Sequence, residues 1–86
     1  MNREFKSGDI VSHFKRETVD QNTTKYLYRI ITIAEHTETR EKLVIYETLY
    51  EPFGIYARPY DMFTSLVDKE KYPNIKQEYR FEKVEK

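Results

Sequence analysis

The chain has 86 residues, with fifteen Lys and Arg set against fifteen Asp and Glu, no Cys, eight Tyr and five Phe. That length makes one domain, residues 1–86, able to bury only roughly 60% of its unfolded surface, and the absence of Cys excludes a disulfide framework or a thiolate zinc site. Net neutrality disfavours a bulk electrostatic grip on nucleic acid, which relies on clustered cations to neutralise phosphates.

The balance holds along the chain: residues 1–30 carry six basic and four acidic groups, residues 31–58 three and five, residues 59–86 six and six. The N-terminal MNREFKSGD has no apolar h-region, and no segment reaches membrane-span length, so the expectation is a cytoplasmic protein with no membrane partner. Without export, the glycosylation pattern Asn22-Thr23-Thr24 carries no meaning.

Gly8-Asp9 ends a charged N-terminal arm, and residues 9–14 (DIVSHF) read as a first short strand. Residues 15–25 (KRETVDQNTTK) are polar and aperiodic, which predicts a long insertion loop. Residues 26–36 (YLYRIITIAEH) are dense in Tyr and Ile, types that suit a pleated, half-buried surface. Apolar residues fall on both parities, Leu27, Ile31 and Ile33 against Tyr26, Tyr28 and Ile30, so this strand is read as bent and serving two faces. Residues 42–50 (KLVIYETLY) repeat that signal, and the polar 37–41 between the two runs form a hairpin loop.

Pro52 and Gly54 then break the chain; residues 55–58 are a short strand, and Pro59 starts a helical turn over 59–63 (PYDMF) with Met62 and Phe63 inward. Residues 64–67 suggest another brief strand and 68–76 a charged surface loop. Residues 77–84 (QEYRFEKV) alternate as a half-buried closing strand. Five or six short strands with one helical turn make a mainly β domain, and a small SH3-like antiparallel barrel is the expected architecture, closure removing the exposed edges.

His13-Phe14-Lys15, His36-Thr37-Glu38-Thr39, Leu43-Val44-Ile45-Tyr46, Leu49-Tyr50, Arg58-Pro59, Met62-Phe63 and Tyr79-Arg80-Phe81 occur in a characteristic order. From Gly8 to Val84 the chain resembles a family of small bacterial and phage domains known as a domain of unknown function, serial sixteen fifty-three. The resemblance implies an SH3-like barrel in a bacterial cytoplasm and no established activity. Two departures from the family pattern stand out: the intervening 16–25 segment, and Tyr56 where the family tends to place Trp.

Several groupings carry potential chemistry. His13 and His36 lack a close ligand spacing, so a hydrogen bond from each ring to a loop is favoured over a metal site. A Thr nucleophile within His36, Thr37, Glu38 and Thr39 has no oxyanion hole from any motif, and such residues also stabilise tight loops. Arg58 suits bidentate capture of a carboxylate or phosphate, but an internal pair with Glu47 is the favoured reading. Tyr28, Tyr46, Tyr50, Tyr56 and Tyr60 suggest an aromatic groove rimmed by Lys15, Arg29 and Arg58.

The resulting expectation is a non-enzymatic binding or adaptor module, monomeric or weakly dimeric, without a cofactor. Its binding site would comprise His13, Lys15, His36, Thr37, Glu38, Tyr46, Tyr56 and Arg58, taking a peptide, a partner protein or a small anionic ligand. The alternatives are a small hydrolase or nucleotide-modifying enzyme using His36, Glu38 and Arg58, and a module for RNA or single-stranded nucleic acid.

Overall fold

In the computed structural model, which describes residues 4–84, five antiparallel strands form one sheet. They are β1 (Ile10–His13), β2 (Leu27–Glu35), β3 (Lys42–Thr48), β4 (Ile55–Pro59) and β5 (Phe81–Lys83). A 3-10 helix (Phe14–Thr18) follows β1, and the single turn α1 (Tyr60–Phe63) follows β4. The strand order is β4-β3-β2-β1-β5. The mainly β class expected from the alternating apolar runs is what forms.

Directly opposed residues in an antiparallel pair share a face. Val11 opposes Tyr28, Tyr28 opposes Thr48, Ile30 opposes Tyr46, and Tyr46 opposes Tyr56, so these side chains line one inner surface. A β-bulge lies between Ile30 and Thr32, after which Ile33, not Thr32, opposes Val44. The extra residue switches the parity of β2, and this explains its apolar residues on both parities: Ile30 and Ile33 both pack on the same core. Gly8, at φ +95°, turns the N-terminal segment against the bulge, where its amide donates to the Ile30 carbonyl at 2.7 Å and the Ser7 hydroxyl donates to that of Ile31 at 2.6 Å.

The sheet is strongly curled. Tyr46 on β3 and Phe81 on β5 are three strand steps apart, roughly 14 Å in a flat sheet at about 4.8 Å per strand. Their ring centroids are 6.1 Å apart. Phe63 and Phe81 stack inside the curl at 4.1 Å and 5°, and Phe5 meets Phe63 edge-on at 5.3 Å. Each fully buried ring of this kind contributes roughly 1.5–3 kcal/mol. Among the described residues no ladder joins β4 to β5, so the curl is closed by side chains rather than by hydrogen bonds. Both edges survive, shortened to five and three residues, and β4 ends on Pro59, which has no amide to offer a neighbouring chain.

Several local expectations need correction. Met62 is 48% exposed while Phe63 is fully buried, because successive residues in a one-turn helix cannot both face the core. Residues 64–67 contribute only an isolated bridge, Leu66 to Tyr79, and of the 77–84 strand only Phe81–Lys83 joins the sheet. The 68–76 segment is not merely surface loop: Ile75 buries with Phe14 and Val67 in a second small core, with Tyr72 packed against it. The 15–25 insertion begins with the 3-10 helix and is then folded around Arg16. That guanidinium donates to the carbonyls of Thr23 at 2.8 Å, Lys25 at 3.0 Å and Gln21 at 3.1 Å. The charged N-terminal arm also carries Phe5 into the main core. No helix among the described residues is long and apolar enough to cross a membrane.

Candidate functional site

The end of β1 places His13 at the mouth of a cleft of about 350 Å³ lined also by Phe14, Lys15, Arg58, Asp68, Lys71, Tyr72 and Arg80. Four chain segments converge there. His13 opposes Phe81 across β1–β5, and the Phe14 amide donates to the Arg80 carbonyl at 3.0 Å, which fixes Arg80 beside the histidine. Phe14 reaches across to Tyr72, with ring centroids 4.8 Å apart, and so draws in the segment carrying Asp68 and Lys71. Arg58 comes from the opposite edge strand, β4, and lays its guanidinium over Phe81 at 5.2 Å from the ring centroid.

The cleft is therefore electropositive. Lys15, Arg58, Lys71 and Arg80 face it against a single carboxylate, that of Asp68, and none of the four cations is in an ion pair among the described residues. The Asp68 Oδ1 is already engaged by its own turn, accepting from the amides of Glu70 at 3.0 Å and Lys71 at 3.3 Å. Arg80 keeps its Nε buried with no hydrogen-bond partner among the described residues. An unsatisfied buried donor costs on the order of 1–3 kcal/mol.

His13 reports the same field. Burial first, then the charges of Arg58, Lys15 and Arg80, hold its imidazole down at about 4. Its Nδ1 accepts the Lys15 amide at 3.1 Å, so the single proton of the neutral ring sits on Nε2. At neutral pH the cleft presents donors and cations.

A second cleft, about 330 Å³, adjoins the first through Arg58 and is lined by Tyr28, Tyr46, Thr48, Tyr50, Pro52 and Tyr56. Tyr28 and Tyr50 share a hydroxyl–hydroxyl hydrogen bond of 2.8 Å; burial, reinforced by that bond, raises the Tyr28 hydroxyl pKa well above its ordinary value. Tyr46 is buried and Tyr56 is half exposed, their centroids 6.0 Å apart. The Arg58 Nε donates to the Tyr46 hydroxyl at 3.4 Å, so one side chain borders both clefts.

The family model described as "Protein of unknown function (DUF1653)" matches residues 9–83. The chain belongs to the DUF1653 family. No curated protein and no solved structure matches it. In this DUF1653 domain, His13, Lys15 and Arg58 of the sequence-derived set meet in one cleft, and Tyr46 and Tyr56 meet in the adjoining one. His36, Thr37 and Glu38 line neither. They form the tip of the β2–β3 hairpin, where the His36 Nδ1 accepts the amides of Glu38 at 3.1 Å and Thr39 at 3.3 Å. As expected from the sequence, each imidazole of the DUF1653 chain hydrogen-bonds its adjoining loop.

The expected Glu47–Arg58 pair does not form. Glu47 follows Tyr46 and so lies on the other face of β3, whereas Arg58 opposes Val44 on the inner face. Glu47 instead pairs with its cross-strand neighbour Arg29 at 3.6 Å. That leaves Arg58 available to the clefts. Four contributors to the cationic cleft escaped the sequence reading: Asp68, Lys71, Tyr72 and Arg80. The signal was Tyr72 and Ile75 embedded in an otherwise charged run, a sign that 68–76 packs inward and brings its neighbours with it.

Proposed function

We propose that this domain is a non-enzymatic binding module whose site is the cationic cleft between His13, Arg58 and Arg80, and whose ligand is a small anion-bearing molecule. The observation that carries the reading is the convergence of Lys15, Arg58, Lys71 and Arg80 on one concavity with only Asp68 to offset them, in a chain whose net charge is zero. Arginine forks suit the planar, bidentate geometry of carboxylate and phosphate oxygens, and two of them, Arg58 and Arg80, line this cleft.

An enzymatic reading has less support. His36 and Arg58 line no common cleft, His36 is committed to its turn, and His13 is neutral with its Nδ1 engaged. The nucleic-acid reading is likewise weakened, because the cations form one local group and not a track matching a phosphate backbone.

Calorimetric titration with pyrophosphate tests the proposal. Millimolar or tighter binding is expected, weakened about tenfold or more by Arg58→Gln and by Arg80→Gln, since a hydrogen bond to a charged group contributes about 1.5–3 kcal/mol. Absence of binding to wild type, or binding indifferent to both substitutions, would overturn it.

A further inference from the structure

The two clefts share one lining residue, Arg58, and their characters are complementary: one cationic, the other walled by tyrosine rings and Pro52 with hydroxyls among them. From this juxtaposition we infer that they are two halves of a single site for a nucleoside monophosphate, with the phosphate in the cationic cleft and the base in the tyrosine cleft. The inference rests on the anion-binding reading above and adds the identity of the rest of the ligand.

The chemistry of each half follows from its walls. A phosphate dianion placed among Lys15, Arg58, Lys71 and Arg80 meets four cations and one carboxylate, a balance that favours two negative charges over one. In the second cleft, half-exposed Tyr56 offers a ring face to a planar group, while Tyr46 and Tyr28 below it are held in place by edge-to-face packing at 5.3 Å. Base–aromatic stacking tolerates any base, because every base has a π face. Tyr50 is part of the cleft wall, and its hydroxyl, which can both donate and accept, has capacity for the base edge beyond its bond to Tyr28.

Arg58 determines the spacing. It stands between the halves, its Nε turned to the Tyr46 hydroxyl and its guanidinium over the Phe81 ring. A ligand reaching both clefts must pass over this side chain, so its ring and its phosphate need a spacer of several bonds. Ribose is such a spacer. A phosphate bonded directly to an aromatic ring, as in phosphotyrosine, lacks it. The cations also cluster around one cleft in a neutral chain, with only Arg58 shared with the other, which suits one or two phosphates and not a polynucleotide.

Competition calorimetry with AMP, adenosine, inorganic phosphate, phosphotyrosine and a 5′-phosphorylated dinucleotide provides the test. AMP is expected to bind at least about tenfold more tightly than either adenosine or inorganic phosphate, reflecting one stacked base added to one bound anion. Tyr56→Ala is expected to weaken AMP about tenfold, and Tyr56→Phe, which keeps the ring, to restore it. Dinucleotide affinity equal to that of AMP also supports the site and identifies the 5′ end of an oligonucleotide as the source; a dinucleotide excluded while AMP binds supports it with the free mononucleotide as the source. Phosphate binding as tightly as AMP, or phosphotyrosine outcompeting AMP, overturns this inference while leaving the anion-binding module intact. No binding by phosphate, pyrophosphate or AMP overturns both.

Discussion

His13 sits at the junction of two cores and one cleft, its ring 4.3 Å from that of Phe14 and 5.0 Å from that of Phe81. Such packing disfavours the imidazolium, and Arg58, Lys15 and Arg80 oppose it further. The consequence for stability has a definite sign. In the unfolded chain this histidine titrates at its ordinary value of 6.5, in the folded one at about 4, so between these values the unfolded state binds more protons. Its contribution is complete above about pH 6.5 and is lost as pH falls toward 4; with the exposed part of the ring screened by solvent it amounts to about 1–2 kcal/mol. Urea unfolding at pH 7.5 and pH 4.5 measures it. Wild type should lose more stability than His13→Gln over that interval, and equal losses would contradict the assignment. Gly54 gives a second residue-scale prediction. A Cβ built there comes within 2.7 Å of the Tyr56 hydroxyl oxygen, at the tip of a side chain free to swing into solvent. Gly54→Ala should therefore change stability by only about 0.5 kcal/mol while displacing the Tyr56 ring. The readouts are the ring proton shifts of Tyr56 and a several-fold drop in AMP affinity; unmoved ring shifts would count against this packing.

At the scale of elements, β2 and β3 were legible because β-branched and aromatic residues are dense in both runs, and the bend in β2 was legible because its apolar residues fall on both parities; that a bulge after Ile30 turns Ile30 and Ile33 onto one core, and not onto two faces, was not. The 15–25 insertion was not legible as an ordered element. Its residues are polar, and the device that holds it is one guanidinium bonded to three carbonyls, a tertiary arrangement with no periodic signature. Arg16→Ala should release it locally. Each such bond contributes on the order of 1 kcal/mol, so amide exchange in residues 21–25 should accelerate about tenfold or more while the exchange of β2 and β3 amides stays as in wild type. Uniform acceleration across the sheet would show that the insertion supports the whole fold.

For the molecule as a whole, the aromatic stack inside the curled sheet links stability to the site. Phe81 is completely buried, stacks on Phe63, and carries the Arg58 guanidinium on its face. Phe81→Ala should cost about 3–5 kcal/mol, a large share of the about 5–15 kcal/mol that a domain has, and thermal unfolding followed by circular dichroism measures it. A loss under about 1 kcal/mol would mean that the ring does not close the curl. The site was only half legible for the same tertiary reason. His13, Lys15 and Arg58 stood out as polar residues at strand ends, but Arg80, Lys71 and Asp68 enter the cleft because Phe14 and Tyr72, 58 positions apart, pack on each other, a contact no local pattern encodes. Charge alone pairs Glu47 with Arg58, but strand parity puts them on opposite faces and gives Glu47 to Arg29. Arg80 remains the most direct probe of the whole picture. The arginine Nε–H resonances in a ¹⁵N-correlated spectrum, followed as inorganic phosphate is added, should show those of Arg58 and Arg80 shifting together with saturation while that of Arg16, bound in its own loop, stays still. Resonances of Arg58 and Arg80 that do not move would contradict an anion site in this cleft.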